Sequence, residues 1–170
     1  MLRIKLLVRY NMPPEYVTTA DIPTWAECVG GLILNFGIAE FQTLRWVERL
    51  AGAEAAISLR TSFFGLRIKA AKALVDISML SDADKALAHN LWDEISALTK
   101  VRNQIAHNPL VLGREVSSGE LVWSVIDLNK VVPVGDNRLE RLDYLEIQRV
   151  ALRVRDIALR LSSIIESVPE

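Results

Sequence analysis

Apolar residues recur every three or four positions through most of this chain, in blocks divided by short polar or turn-forming stretches. In the first block Trp25, Val29, Leu32, Phe36, Ala39, Thr43, Trp46 and Leu50 mark one face of a long helix, opened by Pro23-Thr24 with Thr24 as N-cap and ending near Gly52. A second helix is predicted from about Ala53 to Leu80, with Leu59, Phe63, Leu66, Ala70, Ala73, Ile77 and Leu80 on its stripe. Ser81 caps a third. It carries Asp82 and Asp84 in its first turn, where the helix dipole favours carboxylates, and runs on through Leu91, Ile95, Leu98 and Ile105 to about His107. The last helix spans Arg138 to Val168, with Ile147, Val150, Val154, Ile157, Leu161, Ile164 and Val168 in heptad-like spacing. Between the third and last helices, Leu110-Val111-Leu112 and Leu121-Val122-Trp123-Ser124-Val125 flank Ser117-Ser118-Gly119, which predicts a β-hairpin over about 110–134. The expected fold is all-α. It is an antiparallel four-helix bundle, with up to five helices, forming one domain over 23–170 after an N-terminal arm at 1–22.

Composition narrows what such a bundle does. A length of 170 residues suits one domain with a real core. Half of the residues are hydrophobic, 51%, and the net charge is -1, so any nucleic acid must be met by a local patch and not by a global field. One cysteine, Cys28, and two histidines exclude an intramolecular disulfide and a Cys/His metal site, so no metal or cofactor is expected and a reducing, cytoplasmic setting is the simplest inference. The charges within Met1-Leu2-Arg3-Ile4-Lys5-Leu6-Leu7-Val8-Arg9 argue against a signal peptide and for a short strand or arm. No run of eighteen apolar residues predicts a membrane span.

Three residues break the pattern. Arg102 occupies a slot where the stripe of the third helix calls for a leucine, and a guanidinium there needs a partner, an interface or a wet pocket. Glu40 stands near the middle of the apolar face of the first helix, among Phe36, Gly37, Thr43, Leu44 and Val47. Either the two meet inside the bundle, or each reaches water along its own stem. Trp92 falls on the opposite, off-core side of the third helix with Ser96, Thr99, Asn103 and His107, which suggests either a two-fold dimer contact or a site covered by the hairpin or the arm.

His107 follows Arg102 by five residues, and Pro109 biases Asn108 away from helical geometry, so His107 sits at the helix C-terminus. On a straight helix the two side chains diverge by about 140°. Arg102, Asn103 and His107 together resemble the signature of the HEPN (higher eukaryotes and prokaryotes nucleotide-binding) superfamily, an Arg, a polar residue directly after it, and a His after a four-residue gap at the end of the third helix. The resemblance covers roughly Thr24 to Val168 and implies a four- or five-helix bundle. It also implies a metal-independent endoribonuclease in toxin or defence systems, working as a homodimer with a site composed from two copies and with an antitoxin protein as a further partner. RNA would be cut by its own 2′-hydroxyl, with His107 as general acid or base, Arg102 binding phosphate, Asn103 orienting either, and Glu40 supporting Arg102.

Other charged residues fit blander roles. Lys69, Lys72, Lys100 and Arg67 are read as solvated cations that would guide an RNA backbone, and His89 as a surface or interface histidine. Arg149, Arg153, Arg155 and Arg160, interleaved with Glu146 and Asp156, read as a salt-bridged exterior. Gly30-Gly31 permits close packing and does not cradle phosphate. A second reading stays open, in which the bundle is a non-catalytic interaction or nucleotide-binding module acting as a homodimeric scaffold.

Overall fold

The structure, a computed structural model, describes residues 22–107, 110–114, 121–126, 139–141 and 144–168. The expected arm, the Asn108-Pro109 helix stop and the Ser117-Gly119 turn lie outside the described residues. Among the described residues the order is α1 (Ile22–Ala51), α2 (Ala53–Leu59), α3 (Phe64–Ile77), α4 (Asp82–His107), β1 (Leu110–Arg114), β2 (Leu121–Ile126), β3 (Leu139–Arg141) and α5 (Tyr144–Glu166).

Helix α1 begins at Ile22, so Thr24 lies inside it and is not the cap that the sequence suggested. It ends where Gly52, with φ 87°, turns the chain into a left-handed conformation that costs glycine little. The expected helix over 53–80 is two helices. Backbone N–H groups of Arg60 and Ser62 donate to the carbonyls of Ile57 and Leu59 in tight turns, and Phe63 then starts α3 afresh. That break resets the helical phase: Arg67, Ile68, Ala71 and Val75 are buried, while Phe63, Leu66 and Ile77 of the expected stripe are exposed. At the start of α4, Ser81 caps as anticipated, its hydroxyl accepting from the Asp84 N–H at 3.1 Å and donating to the Asp84 carboxylate at 2.7 Å.

The core is built from α1, α3, α4 and α5. Leu32, Phe36 and Trp46 of α1 pack with Ile95 of α4 and with Val154, Ile157 and Leu161 of α5, all at or near zero exposure. Trp92 is among them, fully buried and set edge-on to Trp46 with ring centroids 6.0 Å apart. This corrects the sequence reading of Trp92 as an off-core residue: it flanks Ala88, Leu91 and Ile95 on the buried side of α4.

Helix directions also differ from a simple antiparallel bundle. Asn35 Nδ2 donates to the Ala151 carbonyl, Trp46 Nε1 to that of Leu161 and Arg49 Nη2 to that of Val168, so partners advance together along both helices. Helices α1 and α5 are therefore parallel. Helices α3 and α4 are antiparallel, since Lys72 meets Asp93 and Asp76 meets His89. Between α4 and α5 the expected two-stranded hairpin is a three-stranded antiparallel sheet in the order β1-β2-β3, with Leu110 opposite Val125 and Ser124 opposite Arg141. Leu139–Arg141, expected as the start of the last helix, is the third strand, and α5 begins at Tyr144. No helix among the described residues is long and apolar enough to cross a membrane.

Because Trp92 is sealed in the core with its indole N–H unpartnered among the described residues, it acts through packing alone. Trp92→Ala is expected to lower the unfolding free energy by about 3–5 kcal/mol in urea titrations. The molecular mass of the folded protein should stay unchanged, whereas an interface tryptophan would shift it.

Candidate functional site

Glu40 leaves α1 toward the gap between α3 and α4, and each of its oxygens receives a guanidinium. Oε2 accepts from Arg67 Nη2 at 2.8 Å, and Oε1 accepts from Arg102 Nη2 at 3.3 Å. Two isolated charges on apolar stripes thus solve each other's desolvation problem, with a third residue that the sequence reading placed on the surface. Arg67 is in phase with Ile68, Ala71 and Val75 once α3 is started at Phe64, and that phase was the signal for its burial. Its guanidinium carbon lies 5.8 Å from the Phe64 ring centroid, a cation–π distance, while its Nε is buried with no partner among the described residues. One carboxylate between two guanidiniums leaves this end of the bundle with a local excess of positive charge.

Arg102 is placed differently from Arg67. Its side chain is 30% exposed, against 10% for Arg67, so it is the guanidinium of the pair that solvent reaches. Its Nη1 donates to Asn103 Oδ1 at 2.9 Å. That bond bears on the angular gap between Arg102 and His107. Asn103 and His107 are four residues apart and share one face of α4, so the contact sets the edge of the guanidinium against the residue one turn before His107. Asn103 and His107 are both exposed, and His107 is the last residue of α4. Two of the five guanidinium N–H groups of Arg102 are used by Glu40 and Asn103, which leaves three for a ligand among the described residues. The arrangement can bind an anion at Arg102 and move a proton at His107, with about 7.5 Å of helical rise between the two positions.

The other cations are engaged elsewhere or spread out. Lys72 pairs with Asp93 at 2.7 Å and His89 with Asp76 at 2.7 Å, both along the α3–α4 seam. Lys69 and Lys100 are exposed. Arg153 of α5 forms a two-pronged contact with Glu94 of α4, Nε to Oε1 at 2.6 Å and Nη2 to Oε2 at 2.8 Å, and its Nη1 reaches Asp156 at 2.7 Å. Among the described residues no group of three His, Cys, Asp or Glu side chains is placed to hold a metal ion.

Comparison with protein-family models, with curated proteins and with solved structures returns no match to this chain.

The Glu94–Arg153 clasp has a pH signature. The hydrogen bond from Arg153 holds the Glu94 carboxyl below its ordinary value near 4.5, outweighing the opposite push of partial burial. A carboxylate with a depressed folded value contributes stability above the unfolded value and loses it as pH falls through the folded one. Denaturant titrations from pH 6 down to pH 2.5 should therefore show a stability loss beginning near pH 4.5 that is shallower in Glu94→Gln.

Proposed function

We propose that this chain is a metal-independent endoribonuclease of the HEPN type, a cytoplasmic toxin or defence protein with RNA as substrate, a homodimer as its working form and an antitoxin protein as its restraint. The observation that carries the reading is the Arg102–Asn103 bond, which brings a solvent-reached guanidinium toward the face that bears His107. The 2′-hydroxyl of a ribose attacks the adjacent phosphorus, the bond to the 5′-oxygen breaks, and a 2′,3′-cyclic phosphate remains. His107 transfers a proton in that exchange, a role worth about 100- to 10,000-fold in rate. Arg102 neutralises charge growing on the phosphate oxygens, its planar fork matching their geometry. Asn103 positions the guanidinium, and Glu40 holds it from behind.

A second reading draws on the same contacts. Arg102 shares Glu40 with the buried Arg67, which suits a structural ion-pair member as well as a phosphate ligand. In that case the bundle is a non-catalytic interaction or nucleotide-binding module, and His107 merely ends a helix.

Purified protein incubated with mixed RNA in the presence of a chelator distinguishes the two. The nuclease reading expects fragments with 2′,3′-cyclic phosphate ends, and at least about a 100-fold loss of rate in both Arg102→Ala and His107→Ala while the variants stay folded. Mixing the two inactive variants should restore nothing, because both groups act from one chain; recovered cleavage would mean that the partner subunit supplies one of them. Absence of cleavage, or activity unchanged in His107→Ala, would leave the scaffold reading.

A further inference from the structure

Helix α1 carries a second stripe on the side away from the core. Glu27, Gly31, Leu34, Ile38, Phe41 and Arg45 are spaced four, three, four, three and four apart, the spacing of a coiled-coil seam. Its large members face solvent, with Leu34 71%, Phe41 58% and Ile38 44% exposed. On the neighbouring α5, Leu145, Leu152 and Leu159 recur every seven residues and are likewise exposed. The two stripes adjoin. Arg45 of the seam donates to Ser162 of α5 at 3.3 Å and lies 3.5 Å from Glu166, so both helices present one continuous outer face.

We propose that this face is where a second copy of the chain docks, with α1 antiparallel to α1 and α5 antiparallel to α5 about a single two-fold axis. The argument is self-complementarity. About a point at position 36, Leu34 is the mirror of Ile38, Gly31 of Phe41 and Glu27 of Arg45. An antiparallel copy therefore sets an apolar pair at the centre, a phenylalanine over a glycine beside it and opposite charges at each end. On α5, Leu145 and Leu159 are equally spaced about Leu152. Helices α1 and α5 run parallel with Asn35 bound to Ala151, an offset of 116, which sets Leu152 alongside position 36. The two stripes share one centre, as an isologous interface requires.

Gly31 points the same way. A glycine weakens a helix interior, and a Cβ built at Gly31 would meet nothing within 4 Å, so packing inside the chain does not call for it. Phe41 of the partner subunit does.

This interface does not rest on the nuclease reading, and it has a consequence for the site. Glu40 lies roughly 140° around α1 from the seam, so Arg102 stays outside the interface. Each subunit then holds its own Arg102–Asn103–His107 face, with no crevice shared between them.

Sedimentation equilibrium of the full chain at micromolar concentration tests the proposal, with a mass of twice 19.0 kDa expected. Ile38→Glu, and independently the more exposed Leu34→Glu, should raise the dimer dissociation constant at least about 100-fold by burying an unpaired carboxylate, with helicity and thermal unfolding retained. Glu27→Arg and Arg45→Glu should each weaken the dimer by about 10-fold and restore it when combined. Leu152→Cys should link two chains under mild oxidation, since the native Cys28 is buried. A monomeric wild-type protein, a dimer indifferent to both carboxylate variants, or a dimer in which Leu152→Cys stays unlinked would overturn the proposal. So would a monomer that dimerises only after removal of residues 1–21, which would make that segment the occupant of the face.

Discussion

One carboxylate ties three helices together. Glu40 of α1 takes Arg67 of α3 on one oxygen and Arg102 of α4 on the other, and none of the three could sit on an apolar stripe alone. Removing water from one such ion costs several kcal/mol, so the helices are held to the few arrangements in which all three charges meet. Hydrophobic packing decides that α1, α3, α4 and α5 come together. The triad constrains how far along one another they sit.

The rest of the architecture follows from that constraint and from one topological demand. Helices α1 and α5 are parallel neighbours, and Trp46 reaches from one to the carbonyl of Leu161 in the other within the core. Parallel placement of the last helix requires a long return, and the segment carrying β1, β2 and β3 makes it. On the far side of α5, the Glu94–Arg153 clasp fixes α4 against it, so α4 is gripped by charge at one end through Arg102 and near its middle through Glu94. The end that bears His107 is left exposed just beyond the triad.

Long helices were legible and short ones were not. Over α1, α4 and α5 the apolar period runs through enough turns to define a face, and residues such as Leu32, Phe36, Ile95, Val154 and Leu161 are buried as their spacing implied. The pattern over 53–80 was misread because Arg60-Thr61-Ser62 contains neither glycine nor proline to announce a break, and the wrong phase put Arg67 on the surface. Trp92 was misplaced for a related reason: a large ring at the flank of a stripe reaches the core from an angle at which a small side chain would not. The parallel order of α1 and α5 has no local signal at all, since periodicity carries no helix direction. For the site, the meeting of Glu40 and Arg102 was anticipated from the cost of isolated charge, while Asn103 drawing the guanidinium toward the His107 face depends on rotamers that spacing does not specify.

The account rests on Glu40 being the shared counter-ion of two arginines, and a double-mutant cycle on Glu40→Gln and Arg102→Met, read as unfolding free energy in urea, tests it most directly. A coupling energy of about 1–3 kcal/mol between the two positions, with a second coupling to Arg67→Met, is the expected result. Additive losses within about 0.3–0.5 kcal/mol would contradict it, because the three charges would then not depend on one another.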